Sequence, residues 1–442
     1  MRTIIKIGFV IVGWLCFAVV VFANASEQSQ HLMKLPLDEC LKLGFQNHSK
    51  IIAAEHRVVI AEKGVREKYG SYLPSVNYLI ERTKSSIKQP YYGVTVTSES
   101  DTYTEGISVT QYLYAGGAIK ADYQIALLNL ESALEGKRRA EQELAYNIKF
   151  AFFDLWLKQQ NYQTALASLE NKAKHYQLIN RMYLIGSCNK LDLSQARVLW
   201  EEQKVATQSA KNRMSEAGLT LAALIGIDKF QSIGAELDLS KIDFSDKPED
   251  DPQAIAKAAY LERPDLRQVK QSVAIAECQI KKAKAVLLPR VSLSGNYQLE
   301  DEQLLLDDTK RWSLTINLSG MAFDGFATRN RIEAAQENLK LIQSQEAAAR
   351  DQVTVEVIQT LRSLKVTKEL VNTNYLNIDL AKENVYLTEI QFNNGKATTN
   401  DFKNAQISLI QALDGYYGQV INYLIQQAKM DYVTGKDTPI KR

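Results

Sequence analysis

From Phe326 to Asn394 the sequence has neither glycine nor proline, and from Ala118 to Ile185 its only such residue is Gly136. Uninterrupted stretches of this kind hold helices far longer than the globular average of about 11–12 residues. At about 1.5 Å per residue each reaches roughly 100 Å, too long to fold back into a compact core. Both stretches carry a seven-residue apolar repeat: Ile148, Leu155, Tyr162, Leu169, Tyr176 and Tyr183 in the first, and Val357, Leu364, Val371, Ile378, Val385 and Phe392 in the second. A weaker stripe, Val366, Leu380 and Leu387, lies close to the opposite side of the second helix. A two-stranded coiled coil needs one seam. Seams on both flanks give a helix two neighbours, as in the wall of a cylinder, the alternative being a helix inside an ordinary bundle.

The two heptad sets are related by an offset of 209, which also relates Gly116/Gly325, Ala126/Ala335, Gly186/Gly395, Asp192/Asp401, Ala196/Ala405 and Gly226/Gly435. Upstream, Leu73-Pro74 and Leu288-Pro289 match at an offset of 215, as do Ile51/Leu266 and Ala61/Ala276. Chance matches do not hold register over such a length. The chain is an internal duplication, with two structural repeats at 26–227 and 253–435, an acidic segment at 228–252 between them and a tail at 436–442.

Between each Leu-Pro and the glycine that follows, the period changes to two. Val291, Leu293, Tyr297 and Leu299 alternate with Ser292, Ser294, Asn296 and Gln298; after a polar loop, Trp312, Leu314, Ile316 and Leu318 alternate with Ser313, Thr315, Asn317 and Ser319. Val76, Tyr78 and Ile80, then Ile107 and Val109, repeat the pattern in the first copy. The spacing predicts β-hairpins over about 75–114 and 290–323. They read either as half-buried hairpins on a soluble sheet or as transmembrane strands with an apolar face to lipid and a small polar face to water. The N-terminus favours the second. Arg2 and Lys6 flank an apolar run from Ile7 to Phe22, followed by Ala23-Asn24-Ala25, which reads as an export signal at 1–25, cleaved after Ala25, with an uncleaved anchor as the alternative. Four strands cannot close a barrel, since the smallest single-chain ones have about eight, and an open edge cannot stand in lipid. Spanning strands therefore demand a homo-oligomer.

Composition removes other classes. With 53 Lys+Arg against 51 Asp+Glu, there is no strongly basic surface for nucleic acid. Cys40, Cys188 and Cys278 lie downstream of the export segment, widely spaced, and do not read as a disulfide framework. The four histidines are remote from one another in sequence, and neither GxSxG, HExxH nor a phosphate-binding loop occurs. We expect no enzyme, no cofactor and no metal site.

The opening Leu37-Asp38-Glu39-Cys40-Leu41, the joints Tyr112-Leu113-Tyr114-Ala115-Gly116-Gly117 and Met321-Ala322-Phe323-Asp324-Gly325, the turns Tyr183-Leu184-Ile185-Gly186 and Phe392-Asn393-Asn394-Gly395, and Leu221-Ala222-Ala223-Leu224-Ile225-Gly226 occur in a doubled order. In that order the chain resembles the TolC-type outer membrane efflux protein family over nearly all of its mature length. The resemblance implies a mainly α fold with transmembrane β. A homotrimer would share a twelve-stranded outer-membrane barrel, four strands from each chain, continued by a long α-helical barrel in the periplasm. It implies a passive exit duct of a tripartite efflux pump or a type I secretion system, working with a periplasmic adaptor and an inner-membrane transporter and embedded in outer-membrane lipid. The rival reading is a periplasmic coiled-coil scaffold without a pore, which has no use for the alternating strands.

The resemblance places the periplasmic tips at Tyr183, Gly186, Ser187, Gly395 and Lys396, where an adaptor would dock. It places the entrance at Asp192, Asp401, Asn404, Phe392 and Ala397. Glycine at such turns is also what a helix C-terminus needs on backbone grounds, and an aspartate in a first helical turn is favoured by the helix dipole. The alternative for Asp401 is a ring of like charges around a threefold axis, favouring cations. This sequence departs from well-known family members by having Asn404 in place of a second acid, and Phe392 and Ala397 in place of a tyrosine and an arginine that hydrogen-bond in the closed gate. Phenylalanine and alanine side chains cannot make those bonds, so the expectation is a gate held more by packing.

Overall fold

The computed structural model describes residues 33–228, 233–239, 251–301, 309–394 and 396–437. The export segment, residues 229–232 and 240–250 of the inter-repeat segment, Gly395 and the tail beyond 437 lie outside the described residues.

The first repeat runs through β1 (Met33–Pro36), α1 (Leu37–Asn47), α2 (Ser49–Gly70), β2 (Ser75–Tyr91), β3 (Val94–Ala115), α3 (Ala118–Leu184) and α4 (Lys190–Ile225). After β4 (Ile233–Glu236), the second continues with α5 (Pro252–Glu262), α6 (Pro264–Ala285), β5 (Arg290–Asp301), β6 (Thr309–Ser319), α7 (Ala327–Asn393) and α8 (Thr399–Thr434). The helices have the same four lengths in both repeats, 11, 22, 67 and 36 residues. The duplication is thus a duplication of structure.

Each boundary has a local cause. Asn189 and Asp192 form a reciprocal capping box at the start of α4, and Thr398 and Asp401 form another at the start of α8, satisfying backbone N–H groups that helix starts leave orphaned. Helices α4 and α8 both end on a left-handed glycine, Gly226 at φ 71° and Gly435 at φ 77°. Each glycine docks against the helical pair at the head of its own repeat. A Cβ on Gly226 would lie 2.6 Å from Asn47 Cβ, and one on Gly435 would lie 2.9 Å from the Arg263 backbone.

The long helices form a layer. In its upper half the order is α2–α3–α6–α7, and in its lower half α4–α3–α8–α7. The heptad residues Ile148, Leu155, Val357, Leu364, Val371 and Ile378 are buried in this layer, whereas Val366, Leu380 and Leu387 are exposed in the single chain. The core is thickest where α1, α3 and α4 meet, around Phe152, Ile148, Leu155, Leu221 and Ile225. There a short parallel pair, β1 with β4, lays Leu35, Ile233 and Ala235 over the cluster.

The remaining strands form one antiparallel sheet in the order β2-β3-β5-β6. Its edges are β2 and β6. The second hairpin was expected to reach 323, but its ladder ends with Arg290 opposite Ser319, because Pro289 has no N–H to extend it. The first hairpin is far longer than its alternating residues suggest: β2 has 17 residues and β3 has 22. Since β5 ends opposite Tyr103, residues 94–102 of β3 pair with β2 alone as a projecting ribbon.

Candidate functional site

Two surfaces of this fold offer function: the faces of the four-stranded sheet and the tips of the long helical hairpins. Successive residues of a strand point to opposite faces, so the register sorts the side chains into rows. On one face Tyr78, Ile107, Tyr297 and Trp312 lie side by side across the four strands, and the next row is Val76, Val109, Gly295 and Leu314. On the other face the rows are Asn77, Ser108, Asn296, Ser313 and Ser75, Thr110, Ser294, Thr315. Hydroxyls and amides on this polar face bond across strands, as in Asn296 Nδ2 donating to Ser313 Oγ at 3.4 Å. The apolar face has no protein cover: Tyr78 is 83% exposed and Trp312 77%. Charge first enters it in the row of Ile80, Glu105, Leu299 and Lys310, which marks the outer limit of an apolar band. A bare apolar face of this extent, with two open edges, is unstable in water and fits a bilayer once the edges are paired.

Where the sheet joins the helices, Gly116 and Gly117 turn the chain at φ 62° and 88°. A Cβ on Gly116 would sit 2.3 Å from the Ala285 carbonyl oxygen, so the joint closes only with glycine. In the second repeat Phe326 takes the corresponding left-handed conformation at φ 69°, its ring edge-to-face with Phe323 at 5.4 Å.

At the far end the two tips differ. The α3–α4 turn closes with Gly186 at φ 74° and with Ser187 N donating to Met182 O at 2.8 Å. Beside half-exposed Tyr183 it presents Leu184, Ile185 and Leu191, with Ile185 77% exposed. Asp192 is engaged with Asn189 N at 3.3 Å. The α7–α8 turn presents polar groups instead, Asn394, Lys396 and Thr398. Lys396 N and Ala397 N both donate to Gln391 O. Asp401 Oδ2 accepts from Thr398 N at 2.9 Å and Thr398 Oγ1 at 2.7 Å. Those bonds, the hydroxyl's first, hold the Asp401 carboxyl below its usual range. Asn404 is exposed, its carbonyl accepting from Ser408 Oγ.

Phe392 stacks on Phe402, with ring centroids 5.8 Å apart and planes inclined by 13°. Sequence reading singled out Phe392 but missed Phe402; the available signal was an aromatic ten residues on, across a turn. It placed Tyr176 in the heptad seam but missed Trp200, which stacks on it at 5.3 Å higher in the first hairpin. Among the described residues, no cluster of metal-binding side chains occurs, and no helix is long and apolar enough to cross a membrane.

Comparison with known proteins agrees with this geometry. The family model described as "Outer membrane efflux protein" matches residues 42–227 and 255–435, one block on each repeat. The chain is 24% identical over 315 residues to the pyoverdine export outer membrane protein OpmQ of Pseudomonas aeruginosa, covering 69% of this chain and 65% of that one. It thus spans just under two thirds of OpmQ. It is 21% identical over 399 residues to the outer membrane efflux protein BepC of Brucella suis, covering 89% and 84%. Among solved structures, the CmeC outer membrane channel of Campylobacter jejuni superposes with a TM-score of 0.79 at 15% identity, over 92% of this chain and 87% of that one.

Proposed function

The chain belongs to the outer membrane efflux protein family, and from that premise we propose that it is the outer-membrane exit duct of a tripartite efflux pump or a type I secretion system. Three copies, each contributing a four-stranded sheet, close one barrel, with β6 of each copy beside β2 of the next. The apolar rows then face lipid and the serine, threonine and asparagine rows line a water-filled lumen. Below the barrel, the 67-residue helices carry the lumen through the periplasm.

The observation that carries this reading is the sheet itself. It joins an uncovered apolar face to a small polar one, leaves both edges open, and continues into helices of roughly 100 Å. A scaffold without a pore would have no use for that face. The duct performs no chemistry; an inner-membrane transporter supplies energy, and a periplasmic adaptor joins the two. The exposed Leu184, Ile185 and Leu191 suit the first tip to apolar docking, with Tyr183, Gly186 and Ser187 shaping the turn, while Lys396 belongs to the second tip. Relatives differ in cargo, one named for pyoverdine export and another for cation efflux, as expected of a duct whose partners select what enters.

At the entrance, Asp401 stays ionised because its cap bonds favour the charged form, and three copies form an anionic ring there. The Phe392–Phe402 stack, together with Asn404 and Ala397, gives a gate held by packing, while Asp192 caps the outer hairpin. The test is single-channel recording in planar bilayers. The reading predicts discrete conductance steps with cation block that Asp401→Asn weakens. Block unchanged in Asp401→Asn would remove the ring, and the absence of any conductance, even after truncation of the tips, would remove the duct.

A further inference from the structure

The duplication supplies a template for the seam between copies. Within the chain, α3 of the first repeat packs against α6 of the second. Arg267 meets Glu135 at 3.2 Å and Gln268 Nε2 donates to Ser132 O at 2.9 Å, and three further contacts serve as the template. Lys282 Nζ meets Asp122 Oδ1 at 2.7 Å. Cys278 Sγ lies 3.9 Å from Gln124 Oε1. Gln268 fills the space over Gly136, where a Cβ would come within 2.9 Å of its amide nitrogen. The repeat equivalents of α3 and α6 are α7 and α2, which lie on opposite flanks of the helical layer.

Carrying the three contacts across the repeat offsets gives three new pairs on α7 and α2. Asp122 and Lys282 become Arg331 and Glu67, an ion pair with its charges exchanged. Gln124 and Cys278 become Glu333 and Lys63, again opposite in sign. Gly136 and Gln268 become Gln345 and Ala53, so the long side chain changes helix and a small residue still faces it. All six residues are exposed in the single chain. In the single chain Glu67 and Glu333 pair locally, with Lys68 and Arg329. Packing within one chain does not ask for complementarity between two opposite flanks; packing between copies does.

We propose that α7 of one copy packs on α2 of a second copy in the register of α3 on α6, with Arg331 against Glu67, Glu333 against Lys63 and Gln345 over Ala53. The proposal rests on the oligomer described above and names the surfaces that build it. Exposed ion pairs add little stability, so the charges act mainly by fixing register and rejecting shifted pairings.

The test uses the full chain extracted from membranes, with Cys188→Ser to remove the partly exposed thiol. Two chains, one carrying Gln345→Cys and the other Ala53→Cys, are produced together and treated with a short bifunctional thiol reagent. The expected result is a covalent dimer, absent when either chain is produced alone and several-fold weaker when Arg57→Cys replaces Ala53→Cys. Arg331→Glu and Glu67→Arg are each expected to lower the yield of detergent-stable trimer several-fold, and the double variant to recover it to within about twofold. A normal trimer by native mass spectrometry that does not cross-link at Gln345 and Ala53, or a double variant no better than the singles, would overturn the seam and leave the duct standing. A chain that is monomeric throughout would overturn both.

Discussion

The two repeats build the same four helices but cover them differently. In the first, β1 and β4 lie over α3, and the positions beneath include Phe152, Phe153 and Trp156, all buried. The equivalent positions on α7 are Leu361, Arg362 and Lys365; only Leu361 is buried, and the other two face solvent. Among the described residues, aromatic bulk lies beneath the covering strands and charge where α7 has no such cover, so the backbone repeat is kept while local packing is renegotiated. The same exchange occurs on a smaller scale between the short and long helices. In the first repeat Gly44 faces Ile148, whose Cδ1 would lie 2.3 Å from an added Cβ. The second repeat places Ala259 and Val357 at these positions, both fully buried in one cluster. One methyl is gained on the short helix and one methylene lost on the long one, so the filled volume is nearly constant, as close-packed interiors require.

These differences give graded expectations. The largest concerns the covered core: Phe152→Ala should destabilise by about 4 kcal/mol and Leu361→Ala by about 3 kcal/mol, read from denaturant unfolding of the solubilised protein. Equal losses would mean that β1 and β4 add nothing to the first core. Next comes Arg263, which stands where the first repeat has His48. It is buried and donates to Asp265, Glu356 and the Val433 carbonyl. Burial alone would lower its pKa, but the two carboxylates outweigh that and raise it. Arg263→Met removes the shared partner of both acids but leaves Asp265 with Arg139 at 3.6 Å and the Leu266 N–H, and Glu356 with Gln352 at 3.2 Å. The loss should fall below the roughly 3–5 kcal/mol of a fully buried broken pair, because both acids keep about a third of their side-chain area in solvent.

Gly44→Ala should cost about 1–3 kcal/mol through overpacking. The pair Gly44→Ala with Ile148→Val, which copies the second repeat, should recover most of it. A double variant as unstable as the single would break the equivalence of the two joints.

The smallest effect is a pH dependence confined to the first joint. His48 Nδ1 accepts from Lys50 N at 3.2 Å, which requires the neutral ring. Burial first, then Lys50, holds its pKa below the ordinary 6.5. The folded state therefore binds the proton less readily than the unfolded chain does. Stability is complete above about pH 6.5 and declines as pH falls through the interval between the unfolded and folded values. His48→Asn, which keeps a capping acceptor, should flatten that slope in melts between pH 7 and 5. Arg263 does not titrate there, so the second joint should show no such slope.

Much of this architecture was legible in residue order. Glycine and proline punctuation with the heptads located the long helices, because both signals are local, and the doubled offset located the repeats. Asp192 and Asp401 read as first-turn residues of the returning helices, while their cap partners Asn189 and Thr398 became visible only in the fold. The outer half of the first hairpin did not, since a two-stranded ribbon has no buried face to impose alternation, and Thr83, Ser85, Ser86 and Ser98 fall on either side of it. The Phe392–Phe402 stack and the seam between copies depend on the relative placement of separate helices, which no single stretch of sequence encodes.

The central claim is that open-edged sheets from several copies complete a barrel with its apolar rows against lipid. Electron cryo-microscopy of the full chain in lipid nanodiscs tests it most directly. The account predicts a threefold hollow particle, with twelve strands, four from each copy, crossing the bilayer and Trp312 on the lipid side. A single copy, or a sheet lying outside the bilayer, would contradict it.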